Sequence, residues 1–199
     1  MVNKAPERPP ANTVSQVEDK LAIHYPDETP GLNMSLDNYN ERLAVFEKSK
    51  DQAIKFEAIN PKKDLFVFFD VSCPSCKKFF KSIPVFLENG YNINLMMIDK
   101  TRKFTSEKSK QMMSIYCESD PKNKLIELLD AKYEAISCDY GKKFLESMTN
   151  AALLVGTVGT PAIFTEDAIP IYRYDDSKGR YYPIYRINSV DNWFVEHGL

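Results

Sequence analysis

The sequence has little glycine, little histidine and no long apolar run. Only 7 of its 199 residues are glycine, there is no low-complexity tract, and 43% are hydrophobic, so the composition excludes bulk disorder and predicts one sizeable core. The two histidines, His24 and His197, lie near opposite ends at no ligand spacing, and we expect both at the surface. No apolar stretch approaches the roughly 20 residues that a membrane-spanning helix needs.

Neither sign of charge dominates the chain. The 26 basic and 28 acidic residues give a formal net charge of −2 and alternate along the sequence, so a nucleic-acid partner is not expected. Residues 1–16 also lack the apolar centre of a signal peptide. The chain is therefore either intracellular or a mature form whose leader has been removed, and its four cysteines must decide between the two.

The pattern of apolar residues divides the chain into three parts. Residues 1–34 are rich in proline and charge and predict a flexible N-terminal arm. Apolar residues at helical spacing predict a helix over 35–52 with Ser35 as its cap, which either docks onto the core or serves as a linker or dimer helix. Residues 53–199 alternate strand and helix patterns, which predicts an α/β fold with a mixed sheet.

Within this third part, the segments can be assigned individually. Strands are predicted at 53–59, 65–71, 93–98 and 161–164, a hairpin at 169–174 and 180–187, helices after Pro74 and throughout 105–155, and a final helix from Ser189.

Two cysteines stand in DVSCPSC, between the apolar strand 65–71 and a helix that Pro74 opens. A thiol at a helix N-terminus is stabilised as a thiolate by free N–H groups and the positive end of the helix dipole. Cys73 would then attack a substrate disulfide, and Cys76, one turn further on, would resolve the mixed disulfide. The same spacing also begins many zinc sites, although the position between strand and helix favours redox chemistry.

Thr160 and Pro161 open a short strand after a glycine-containing bend. A cis bond between them would turn the Thr160 backbone outward, where its N–H and C=O could pair with a substrate strand beside Cys73. Since only about 5% of X-Pro bonds in folded proteins are cis, an ordinary trans proline is the alternative.

Three separated motifs, FFDVSCPSC, GTPAIF and SIYCESDPKNKLIELLDAKYEAISCD, resemble the thioredoxin-like domain of the DsbC/DsbG family of bacterial periplasmic thiol-disulfide isomerases. The resemblance covers roughly residues 50–199. It implies a thioredoxin-like fold, with a mixed central sheet flanked by helices and a helical insertion at about 105–155, and a catalytic domain over 53–199.

The resemblance also implies roles for individual residues. Cys73 corresponds to the nucleophile and Cys76 to the resolving thiol, while Thr160 and Pro161 correspond to the substrate-binding cis-proline loop. Asp70 matches an aspartate of the family strand, but we expect it to be merely solvated and assign it no catalytic role.

Cys117 and Cys138 match a family pair that forms a second, structural disulfide. Such a bridge closes a loop of about 20 residues and contributes roughly 3 kcal/mol. It implies an oxidising compartment, and hence a periplasmic protein whose signal peptide is absent from this chain. The alternative, four cysteines around one zinc, is disfavoured because Cys117 and Cys138 lack C-x-x-C spacing. We therefore expect no metal and no other cofactor.

The main hypothesis is a thiol-disulfide oxidoreductase that acts on exported proteins, with a DsbD-like membrane reductase as a partner if it is an isomerase. The Pro-Ser pair between the cysteines leaves isomerase, reductase and oxidase open. Residues 1–34 are too few and too polar for the dimerisation domain of family isomerases, so a monomer or an atypical dimer is expected. The alternatives are a thioredoxin-fold adaptor of an envelope or secretion complex with vestigial redox activity, or a zinc-stabilised module.

Overall fold

The computed structural model describes residues 36–130, 135–136, 138–157, 159–175, 177–178 and 180–196. The predicted arm, the cap Ser35 and both histidines lie outside these residues, so those predictions stand as they were. The chain divides after Asn40, and residues 41–199 form one unit. No helix in the described ranges is long and apolar enough to cross a membrane.

The described residues form six helices and six strands. In chain order they are α1 (Leu36–Lys50), β1 (Ile54–Phe56), β2 (Lys63–Phe69), α2 (Pro74–Glu88), β3 (Tyr91–Met97), α3 (Glu107–Ile115), α4 (Pro121–Leu129), α5 (Asp139–Leu154), β4 (Ala162–Phe164), β5 (Tyr172–Asp175), β6 (Arg180–Pro183) and α6 (Ile187–Glu196).

Four strands form the central sheet in the order β1-β3-β2-β4. Strands β2 and β3 are parallel, whereas β1 pairs with β3 and β4 pairs with β2 in antiparallel fashion. The sheet is mixed, as predicted. Five consecutive residues of β2, Leu65 to Phe69, are buried, which explains why this strand is continuously apolar rather than alternating.

Helix α2 places the cysteine pair at one end of the sheet. Pro74 occupies its first turn, and Cys76, Phe79, Ile83 and Phe86 form its buried face. The chain then reverses at Gly90, whose φ of +89° lies in the left-handed region that glycine adopts without strain. The parallel pairing of β2 and β3 therefore holds α2 across one face of the sheet.

The second half of α1 is part of the core. Phe46 is fully buried, and its ring centroid lies 5.3 Å from that of Phe66, 6.4 Å from that of Phe68 and 5.8 Å from that of Phe164. Of the two roles considered for this helix, docking onto the core describes the segment around Phe46.

The helical block predicted at 105–155 is present as α3, α4 and α5. The side chain of Ser106 accepts a hydrogen bond from the Ser109 N–H at the start of α3, and that of Asp120 accepts one from the Asn123 N–H at the start of α4. These caps satisfy N–H groups that the first helical turn leaves without an intrahelical partner.

Several boundaries at the C-terminal end differ from the prediction. Strand β5 starts at Tyr172 rather than at 169, because residues 169–171 pair back toward β4: Thr165 N–H donates to Ile169 O at 2.9 Å and Ile171 N–H to Ile163 O at 2.8 Å. Strand β6 ends at Pro183 rather than at 187. Helix α6 begins at Ile187, two residues before the predicted start at Ser189.

Candidate active site

Cys73 is the N-cap residue of α2, with extended backbone angles of φ −81° and ψ 122°. Its carbonyl accepts the first helical hydrogen bond from Lys77, and its own N–H donates to Asp70 O. The residue is largely enclosed, with only 7% of its surface exposed. Its side chain therefore lies in the wall of a groove rather than at an open helix end.

Cys76 lies one turn further along α2 and is fully buried. Its sulfur accepts a hydrogen bond from the Asp70 N–H at 3.5 Å. Burial raises the pKa of the Cys76 thiol to about 12, and the neighbouring Cys73 adds to that rise. At neutral pH this thiol is protonated.

The pKa of Cys73 is shifted in the opposite direction. Burial raises it, but hydrogen bonds from the Thr160 side chain and from the backbone of Cys76 and Ser75 outweigh burial and bring the pKa below the ordinary cysteine value. The two thiols of the pair are thus inequivalent: the one at the helix end ionises more easily, and the inner one keeps its proton.

The loop before β4 lies against this pair. The peptide bond between Thr160 and Pro161 is cis. The carbonyl oxygen of Thr160 is 3.4 Å from the Cys73 sulfur, although 87 positions separate the two residues. The structure thus brings together four of the residues that the sequence singled out: Cys73, Cys76, Thr160 and Pro161.

Asp70 is not the solvated carboxylate that the sequence suggested. It is fully buried. One carboxylate oxygen accepts a hydrogen bond from the Ser72 N–H at 2.6 Å and the other accepts one from the Lys100 N–H at 3.0 Å. The expectation was wrong because β3 ends beside β2, and the loop after β3 covers the Asp70 side chain.

The loop after β3 is built on a second buried carboxylate, which sequence reasoning missed. Asp99 accepts hydrogen bonds from the N–H groups of Thr101 and Phe104 and from the hydroxyl of Ser109. Burial raises the pKa of Asp99, but these bonds outweigh it and lower the pKa below its usual range. The one signal for this role in the sequence was the position of Asp99, directly after the predicted strand 93–98 and before the Thr-x-x-Phe segment 101–104.

A groove of about 460 Å³ opens beside the Cys73 sulfur. One side comes from the segment at Thr160, another from α5, and a third from the loop after β3. Its lining residues are Cys73, Ile98, Lys100, Arg102, Thr149, Ala152, Leu153, Thr157, Gly159 and Thr160.

The other two cysteines lie in the helical block. Cys117, two residues after α3, is bonded to Cys138, the N-cap residue of α5, with their Cα atoms 6.0 Å apart. A Cβ added at Gly141 would collide with the Met113 carbonyl oxygen and lie 3.0 Å from the Cys117 sulfur. Glycine is therefore required where α5 crosses α3 beside the disulfide.

The four cysteines do not converge on one point. The thiols of Cys117 and Cys138 are used in their mutual bond, so neither is available as a ligand beside Cys73 and Cys76. Across the ranges that the structure covers, no cluster of three or more His, Cys, Asp or Glu side chains is arranged to hold a metal ion.

Comparison with known proteins gives one curated relative. No family model matches the chain. The thiol:disulfide interchange protein DsbC of Dickeya dadantii (strain 3937) is 28% identical over 151 residues, which are 76% of this chain and 60% of DsbC. The chain thus spans about three fifths of the length of this relative.

Two solved structures resemble the fold. A disulfide interchange protein from Neisseria gonorrhoeae has a TM-score of 0.53 at 18% identity, over 75% of this chain and 97% of the other. Helicobacter pylori DsbG has a TM-score of 0.51 at 17% identity, over 82% of this chain and 74% of the other. At such identities the likeness concerns the fold alone.

Fold and site together define a class: a thioredoxin-like α/β domain that carries a Cys-x-x-Cys pair at a helix N-terminus, beside a cis-proline. The predicted fold class is confirmed. Within that class the chain is DsbC/DsbG-like, because the match to DsbC covers three quarters of it and the fold is shared with DsbG, so the resemblance inferred from the motifs is also confirmed.

Proposed function

We propose that this chain is a thiol-disulfide oxidoreductase of the isomerase or reductase type, with Cys73 as nucleophile and Cys76 as resolving thiol. One observation carries the proposal: the more readily ionised thiol sits at the start of α2, in contact with Thr160, while its partner is buried one turn behind it. This arrangement divides attack and resolution between two inequivalent sulfurs.

The reaction has two exchange steps. The Cys73 thiolate attacks one sulfur of a substrate disulfide; a bond forms between these two sulfurs, the substrate bond breaks, and the second substrate sulfur leaves and takes a proton from solvent. Cys76 then loses its proton and attacks the Cys73 sulfur, which releases the captured substrate thiol. The protein dithiol loses two electrons, and the substrate disulfide gains them.

Thr160 and Pro161 are proposed to bind substrate. Since the Thr160 carbonyl is 3.4 Å from the Cys73 sulfur, a polypeptide segment paired with this backbone would hold its disulfide against the nucleophile. The sequence relative named above supports the same chemistry, because it is called a thiol:disulfide interchange protein.

Insulin reduction by dithiothreitol tests the proposal. Wild-type protein is expected to accelerate the precipitation of insulin chains, and Cys73→Ser is expected to abolish the acceleration. When reduced Cys76→Ser is mixed with insulin after dithiothreitol has been removed, it should accumulate a mixed disulfide with substrate, since attack remains while resolution is lost. A wild-type protein that does not exceed the dithiothreitol background would favour the adaptor hypothesis.

Two measurements separate the possible directions of electron flow. Refolding of scrambled ribonuclease reports isomerisation, in which a substrate thiol rather than Cys76 resolves the mixed disulfide. The reduction potential of the Cys73–Cys76 couple against glutathione separates a reductase, near the roughly −270 mV of thioredoxin, from an oxidant near the roughly −120 mV of DsbA.

The proposed compartment is the periplasm, and the proposed substrates are disulfides of exported proteins. The Cys117–Cys138 bond supports this, because structural disulfides persist in oxidising compartments. An isomerase there needs its reactive pair kept reduced, and a DsbD-like membrane reductase is the proposed donor. Alkylation of periplasmic extracts should trap Cys73 and Cys76 as thiols, and deletion of the reductase should convert them to the disulfide.

A further inference from the structure

The loop of residues 99–104, here called the basic loop, carries three cations in four positions: Lys100, Arg102 and Lys103. All three are exposed. Among the residues that the structure describes, none of the three forms an ion pair. In a chain whose net charge is −2, this is a local excess of positive charge.

Two carboxylates, Asp99 and Asp70, belong to the same region, but neither forms an ion pair with these cations. Asp99 and Asp70 are both buried, and each uses its oxygens to accept hydrogen bonds from the surrounding backbone and side chains. The same bonds fix the loop, in which Arg102 takes a φ of +57° and Phe104 one of +54°. The cations therefore project from a fixed scaffold.

The basic loop forms one wall of the groove at the nucleophile. Lys100 and Arg102 line the same 460 Å³ space as Cys73 and Thr160, and none of the lining residues that the structure describes is acidic. The side that α5 contributes carries Ala152 and Leu153 together with Thr149. The groove thus offers an apolar surface and two cations to whatever reaches the Cys73 sulfur.

We infer that this groove selects disulfide-bearing polypeptide segments with a carboxylate two residues from the reacting cysteine. The inference rests on the proposed function. In an extended segment, side chains at i and i±2 point to the same side, while those at i±1 point away. A carboxylate at ±2 would therefore enter the groove together with the cysteine and face Lys100 and Arg102.

Three synthetic peptides test the inference, each as a mixed disulfide with the uncharged thiol 2-mercaptoethanol. They have one central cysteine in an alanine background, with Glu at both ±2 positions, Glu at both ±1 positions, or Gln at both ±2 positions. Excess protein with Cys73 and Cys76 reduced is mixed with each peptide, and loss of the mixed disulfide is followed by chromatography. Cys73 and Cys76 are oxidised to their disulfide as peptide thiol and mercaptoethanol are released.

For each peptide, the rate with wild-type protein is divided by the rate with the groove variant, which carries both Lys100→Gln and Arg102→Gln. This ratio cancels differences in the intrinsic reactivity of the peptides. The matched control is the double variant Lys55→Gln and Lys143→Gln. Both lysines are exposed and lie outside the groove, and this variant loses the same net charge as the groove variant. Wild type should exceed the groove variant by about two- to fivefold on the ±2 Glu peptide, the range expected for exposed ion pairs. The advantage should disappear in about 1 M salt.

The outcomes separate the inference from the proposed function. The expected result is a ratio near one for the Gln and ±1 Glu peptides, and rates of the control variant equal to wild type throughout. Equal ratios for all three peptides, or an equal loss in the control variant, would overturn the inference alone. If no peptide is reduced at all, the proposed function fails and the inference fails with it.

Discussion

The Cys73 sulfur lies 3.4 Å from the carbonyl oxygen of Thr160, in a loop 87 positions further along the chain. The same residue also acts on the thiol through its side chain, whose hydrogen bond lowers the pKa of Cys73 against the effect of burial. Both the backbone and the side chain of Thr160 therefore contact the Cys73 thiol, and a side-chain substitution can separate their effects.

Replacing Thr160 with valine removes the side-chain hydrogen bond and keeps the carbonyl. The pKa of Cys73 should rise, because the effect of burial then meets less opposition. Titration of thiolate absorbance near 240 nm in the Cys76→Ser background measures it directly. Thr157→Val is the control, because Thr157 lines the same groove but donates its hydrogen bond to Ala152 O. The titration curve of Cys73 in this variant should match that of the parent protein.

Replacing Asp99 with asparagine should loosen the loop after β3 and lower the free energy of unfolding by about 2 kcal/mol, because the lost bonds are to a charged acceptor. The folded pKa of Asp99 is below its unfolded value, so its contribution is fully present above about pH 4 and is lost as pH falls through the folded pKa. The difference in the free energy of unfolding between wild type and Asp99→Asn should therefore become smaller as the pH is lowered.

Urea unfolding at several pH values between 3 and 7 would measure that difference. Asp51→Asn serves as the matched control, because Asp51 is exposed and outside the network, and its effect should stay within about 0.5 kcal/mol. A difference in the free energy of unfolding that stays constant over this pH range would contradict the role given to the Asp99 carboxylate.

Replacing both Cys117 and Cys138 with alanine should lower the free energy of unfolding by about 3 kcal/mol, since the bridge spans 21 positions. The alkylation rate of Cys73 at pH 7.5 should stay within about twofold of wild type, because the disulfide joins α3 and α5 and not the loops that contact the nucleophile. A large change in that rate would show that the bridge also shapes the reactive site.

Replacing Gly141 with alanine should be destabilising by about 1–3 kcal/mol, because the new methyl group meets the Met113 carbonyl and the Cys117 sulfur. Gly159→Ala is the contrasting case: the nearest atom to its added Cβ is Pro183 Cγ at 3.8 Å, so little change in stability is expected. Thermal unfolding of the two variants side by side would reveal the difference, and equal melting temperatures would contradict it.

Features set by local sequence were predictable. The apolar run of β2 and the helix that Pro74 opens both follow from neighbouring residues, and the structure confirms them. The α/β class followed from the order of these patterns.

Features that depend on packing between distant segments were not predictable. Asp70 looks like a solvated strand end until the loop after β3 covers it. Arg102 and Phe104 adopt left-handed backbone angles without any glycine or asparagine to signal the turn. The Asp99 carboxylate accepts a hydrogen bond from the Phe104 N–H, and the Asp99 backbone carbonyl accepts one from the Arg102 N–H. The groove beside Cys73 likewise draws its walls from three parts of the chain.

The burial of Phe46 among Phe66, Phe68 and Phe164 bears on how short an autonomously folding fragment can be. A truncation at residue 53, where the strand pattern starts, would open a ring-sized void against the sheet, and losses of about 3–5 kcal/mol are usual for a buried phenylalanine. We therefore expect a stable fragment to start upstream of Phe46, and amino-terminal deletions that respect this limit should leave the Cys73–Cys76 pair in place.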